Sequence, residues 1–130
     1  MSLLDIDVTS AKEPTVMPAG SEVKLRIIDV RADTDKNGNP YLMPRFDVVD
    51  EPLAKDFTDF MGLTYDGQDE KEKARNEWKV NTFLSAFGLP NPYHGDTADM
   101  QGKTGWAILG SKTDDTYGEQ NTVRKYVAGK

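Results

Sequence analysis

The sequence predicts a mainly β domain of five strands, with one helix between the third strand and the fourth. Three observations carry this. Separate stretches alternate apolar and polar residues, the signature of half-buried strands. Only one stretch has helical apolar spacing, at Val80, Phe83, Leu84 and Phe87. Asn37-Gly38, between the first two alternating stretches, is a hairpin signal and predicts a type I′ turn.

Residues 1–17 mix apolar and acidic side chains, and Pro14 and Pro18 discourage a helix, so they are read as an N-terminal arm. The first strand falls at 22–31, with Val23, Leu25 and Ile27 on one face and Lys24 and Arg26 on the other. The second falls at 40–49, with Leu42, Phe46 and Val48 facing inward and Tyr41, Met43 and Arg45 outward. The third lies at 56–63: Phe57, Met61 and Leu63 share the inner parity, and Phe60 points out between Thr58 and Gly62. Asp69-Glu70 opens the helix, where acids suit the dipole, and Gly88, Pro90 and Pro92 end it. A loop over 90–102 leads to strands near 103–111 and 120–127; in the last, Val123 and Val127 take the inner parity, Arg124 and Tyr126 the outer. Three strands, a helix and two strands is the element order of the OB fold, a five-stranded barrel with one helix between strands three and four. The whole chain, 1–130, is read as one domain: the arm at 1–17 and the barrel at 18–127. Trp78 lies off the apolar stripe of the helix, and the arm, with Leu3, Leu4 and Ile6, is its expected cover.

Composition narrows the function. The chain has no cysteine, which excludes disulfides and thiolate metal sites. Its one histidine, His94, lies in a Pro/Gly-rich loop with no nucleophile motif around it. No apolar run reaches the roughly 18 residues needed to span a bilayer, and no signal-peptide pattern opens the sequence, so a cytoplasmic location is expected. The net charge of −6 opposes generic polyanion binding. The acids gather at turns and the helix start, however, while Lys24, Arg26, Arg45, Arg124 and Lys125 recur within strands.

Two motif fragments fail on inspection. Asp33-Thr34-Asp35-Lys36-Asn37-Gly38 copies half of a calcium loop, but the position requiring a bidentate glutamate is Pro44 and the flanks are strands. Gly102-Lys103-Thr104 resembles the end of a P-loop, but Thr97 stands where the first glycine belongs and a strand follows. No carboxylate pair is set apart from a solvated charge run. The sequence predicts no enzyme, no cofactor and no metal.

What remains is a surface. Lys24, Arg26, Tyr41, Met43, Arg45, Phe60, Arg124 and Tyr126 share outward parity and would line one groove of a closed barrel. Cations that track phosphates, interleaved with rings that stack bases, suit single-stranded nucleic acid.

Several local sequences also resemble a known family. They are Pro18-Ala19-Gly20 followed by Glu22, the Lys36-Asn37-Gly38-Asn39 turn, Phe87-Gly88-Leu89, and Asn121-Thr122-Val123-Arg124-Lys125-Tyr126. Over residues 16–127 they resemble bacteriophage single-stranded-DNA-binding proteins, small OB-fold proteins often described only as domains of unknown function. The resemblance implies sequence-independent binding of single-stranded DNA in phage replication or recombination. Replication or recombination proteins of the phage or its host would be further partners, with the chain a monomer or homodimer. Such proteins often end in an acidic, partner-recruiting tail, whereas residues 121–130 contain Arg124, Lys125 and Lys130 and no acid. The competing reading is a β-rich protein-interaction or phage assembly module, which the net charge favours. A metal-dependent enzyme built on acids is a more distant third.

Overall fold

Alternation places Val23, Leu25 and Ile27 under a sheet whose first strand, β1, runs over Glu22–Thr34 in the computed structural model, which describes residues 3–130. Strand β2 (Pro40–Val48) pairs antiparallel with it and buries Leu42, Pro44, Phe46 and Val48. Then follow the two-residue strands β3 (Phe57–Thr58) and β4 (Met61–Gly62), helix α1 (Glu70–Ala86), a 3-10 turn (Thr97–Met100), β5 (Thr104–Asp114) and β6 (Gly118–Val127). The sheet is open and antiparallel, in the order β3-β2-β1-β5-β6, with β4 also on β2. The closed five-strand barrel expected from sequence is therefore replaced by an open six-strand sheet with one helix.

The extra strand is the expected third strand broken in two. Arg45 opposes Thr58 and Leu42 opposes Met61 in one unshifted register, so β3 and β4 form a single interrupted ladder. The break lies opposite Pro44, which accepts from the Asp59 amide (3.1 Å) but has no N–H to return.

Two bulges reset the parity that simple alternation predicts. In β1, Ile28 is the extra residue between the Ile27–Phe46 and Asp29–Arg45 pairs, which turns Asp29 and Arg31 outward. In β6, Arg124 is the extra residue between the Leu109–Val123 and Ile108–Lys125 pairs. Lys125 then faces solvent, and Tyr126, expected on the outside, turns into the core at 5 % exposure.

The β1–β2 turn is also not type I′. Asp35 pairs with Asn39, and of the central residues only Gly38 has positive φ (80°), the pattern of a three-residue loop ending in a left-handed glycine. The Asp35 carboxylate accepts from the Asn37 and Asn39 amides, both at 2.9 Å, so it closes the turn from within.

Helix α1 begins and ends as its sequence predicts. Asp69 caps the Glu72 amide, and Gly88 and Leu89 return hydrogen bonds to Ser85 and Leu84. Its apolar stripe meets an aromatic cluster: Phe46 stacks on Phe87 at 5.5 Å, and Tyr126 sets its edge against Phe83 at 5.5 Å. Gly105 lets the helix end approach, since a Cβ there would lie 2.6 Å from the Ala86 carbonyl oxygen.

The arm does not cover Trp78, which is 68 % exposed, while Leu3, Leu4, Ile6 and Val8 stay open to solvent. The root of the arm is tied elsewhere. Thr15 bridges Ala54, and the Met17 amide donates to Asn121 Oδ1 at 2.9 Å.

Candidate nucleic-acid interface

The outer face of the sheet is set by register. Residues directly opposite one another share a face, so Lys24 lies beside Trp106, Arg26 between Asp47 and Thr104, Asp29 beside Arg45, and Arg31 beside Met43. Tyr41 stands opposite Gly62. The missing side chain at Gly62 is where Asn76 of α1 packs, since a Cβ there would lie 2.8 Å from its side-chain amide nitrogen. At the strand break Phe60 leans on Tyr41, with ring centroids 5.0 Å apart and planes 30° apart. Phe60 is 52 % exposed, and Tyr41 is half-buried.

Six of the eight residues singled out from sequence thus share the β1–β2 side of the outer face: Lys24, Arg26, Tyr41, Met43, Arg45 and Phe60. Arg124 is exposed on edge strand β6 near Gly110, with β5 and β1 between it and β2. Tyr126 is lost to the core for the reason given above. Trp106 and Arg31 also lie on this face and were not singled out. Trp106 was legible, since its parity opposes that of buried Ala107 and Leu109. Arg31 was not, because the Ile28 bulge leaves no mark in the sequence.

The cations on this face differ in their pairing. Arg26 meets Asp47 at 2.5 Å, Arg45 meets Asp56 at 2.9 Å and Arg31 meets Asp33 at 3.4 Å. The hydrogen bond to Asp47 raises the Arg26 pKa further above its ordinary value. Lys24, Arg124 and Lys125 have no carboxylate within ion-pair distance among the described residues. Lys130 pairs with Glu22 at 2.6 Å and lies 5.0 Å over the Trp106 ring. Exposed pairs of this kind are worth about 0–1 kcal/mol, so an incoming anion can exchange with them.

Behind the Tyr41–Phe60 pair, Asp59 accepts from Tyr126 Oη at 2.5 Å and from Lys79 Nζ at 3.0 Å. Lys79 Nζ also donates to the Phe60 carbonyl at 2.9 Å. Helix, edge strand and strand break thus fix the backbone that carries the exposed ring.

Among the described residues no cluster of histidine, aspartate and glutamate could hold a metal ion, and no helix is long and apolar enough to cross a membrane. Residues 4–125 match the model of a family described as a protein of unknown function, DUF669. The chain belongs to this family. No curated protein matches it. The DUF669 match takes in the arm from Leu4 and the outer face described above, including both members of the Tyr41–Phe60 pair.

Proposed function

We propose that this DUF669 protein binds single-stranded DNA without sequence preference, through the outer face of β1, β2 and the broken third strand. The observation that carries the reading is the exposed Tyr41–Phe60 ring pair on a face that also holds Lys24, Arg26 and Arg45. Rings at this spacing offer a π-face to any base, and the cations beside them suit a phosphate backbone. The strand path supports an OB-type reading: β1 pairs with both β2 and β5, and α1 leads from the broken third strand to β5. In OB domains the face of strands two and three binds oligonucleotides, and the ring pair lies on the matching strands. The resemblance to phage single-stranded-DNA-binding proteins adds a role in phage replication or recombination, without catalysis, in the host cytoplasm.

The test is fluorescence anisotropy with labelled oligo-dT, a mixed-sequence strand, the same strand as RNA, and a duplex, each at two salt concentrations. Similar affinity for both DNA strands, much weaker duplex binding and a log–log salt slope of about −0.7 per phosphate neutralised are expected. Tight duplex binding, or no binding of any strand at low salt, would overturn the reading. The second of these outcomes would favour a protein-interaction module instead. The net charge of −6 and the carboxylate partners of Arg26 and Arg45 are the observations on its side.

A further inference from the structure

Trp78 is the largest side chain that the fold leaves without a role. It stands on α1 between two grooves. One, of about 620 Å³, has a mixed lining, with Leu63, Val80 and Leu84 beside Asn76, Glu77 and Asn81. The other, of about 310 Å³, runs between α1 and β6 and is lined by Thr82, Arg124 and Lys125 among others. An indole that is 68 % exposed between a groove of mixed lining and a cationic one is an unfilled contact surface.

The chain also carries a segment of matching chemistry. In Leu4-Asp5-Ile6-Asp7-Val8 the apolar and acidic residues alternate. In extended form such a segment puts Leu4, Ile6 and Val8 on one side and Asp5 and Asp7 on the other. Laid along Trp78, the apolar side meets the indole and the half-buried Leu63 and Val80, and the acids face Arg124 and Lys125. Within one chain this contact is not made: the root of the arm is tied by Thr15 to Ala54 and by Met17 to Asn121, and the residues before it run free of Trp78. Leu3, Leu4, Ile6 and Val8 stay 66–90 % exposed.

We propose that residues 3–8 of one copy dock across Trp78 of a second copy, in a reciprocal exchange that makes a two-fold dimer. A reciprocal exchange buries both exposed surfaces twice and closes on itself, leaving no free copy of either. The proposal is independent of nucleic-acid binding, and its test contains no nucleic acid.

Light scattering on the eluting 130-residue chain, at tens of micromolar, should give twice the monomer mass. The double variant Leu4→Asp/Ile6→Asp and the single variant Trp78→Ala should each elute as monomers with unchanged circular dichroism. These side chains lie on the surface, so the fold does not depend on them. The absence of native cysteine allows a direct check. An Ile6→Cys chain mixed with an Ala74→Cys chain, whose cysteine lines the larger groove, should form a disulfide between the two different chains. A wild-type monomer at every concentration overturns the proposal, as does a dimer that persists in both surface variants. In a Trp106→Phe background, where Trp78 is the one tryptophan left, a monomer whose fluorescence changes in the Leu4/Ile6 variant would make the chain's own arm the occupant, which also overturns it.

Discussion

The Tyr126 hydroxyl donates to the Asp59 carboxylate at 2.5 Å, and this contact joins the two ends of the sheet. Tyr126 belongs to edge strand β6, and Asp59 sits in the break of the strand on the opposite edge. Where a closed barrel would have a backbone ladder, this fold has a side-chain clasp, with Lys79 as its third member.

Replacing Tyr126 by Phe keeps the ring among Phe46, Phe83 and Phe87 and removes the clasp. A hydrogen bond to a charged acceptor is worth about 1.5–3 kcal/mol, so urea unfolding at neutral pH should show a loss of that order. Burial, reinforced by the Asp59 charge and hydrogen bond, raises the Tyr126 pKa well above the ordinary 10.0. The unfolded chain therefore releases this proton at lower pH than the folded one. The stabilisation is complete below pH 10 and falls as pH rises beyond it. Melts across this alkaline window should show wild type losing stability faster than Tyr126→Phe.

Tyr41→Ala and Phe60→Ala should each weaken binding of a labelled single strand by about 1–3 kcal/mol, the usual value of one base-stacking ring. Phe60 is 52 % exposed and outside the core, so its melting temperature should barely move. Unchanged affinity in both variants would remove the ring pair from the interface.

Asp47→Asn should raise affinity for single-stranded DNA at low salt, since it releases Arg26 from its partner at 2.5 Å. Lys24→Ala should lower affinity and flatten the salt dependence, because Lys24 has no carboxylate to leave. Anisotropy titrations of the two variants at two salt concentrations separate these effects.

Gly105→Ala should destabilise the domain by about 1–3 kcal/mol, the usual cost of forcing a methyl group into a packed site. The added Cβ would meet the Ala86 carbonyl at 2.6 Å, and this atom belongs to the helix backbone and cannot rotate away. Thermal or urea unfolding reads the result.

Much of this architecture was legible because it follows local rules. The helix is bracketed by Asp69 and Gly88, and the inward rows of β1 and β2 alternate without interruption up to Ile27 and across Leu42–Val48. The misses share one cause. Ile28 and Arg124 each insert a single residue into a ladder, and alternation counted along one strand cannot register an event defined by its neighbour. Tyr126 was therefore assigned to the surface and Arg31 overlooked. Pro44 was visible in the sequence, but its effect falls on the facing strand, which it splits. Tyr41 and Phe60 keep their expected outward parity because they lie outside both bulges.

The partnered arginines imply an unusual ion balance for the proposed interface. Arg26 and Arg45 reach the surface carrying their own counterions, Asp47 and Asp56. A phosphate that captures one of them sheds a cation from the DNA, while the abandoned carboxylate recruits one from solution. The exchange is nearly neutral in salt, so such contacts contribute to affinity without appearing in the slope that usually counts them. The same arrangement filters ligands: a polyanion offering charge alone gains little by the swap, and one that also offers bases to stack has a reason to stay.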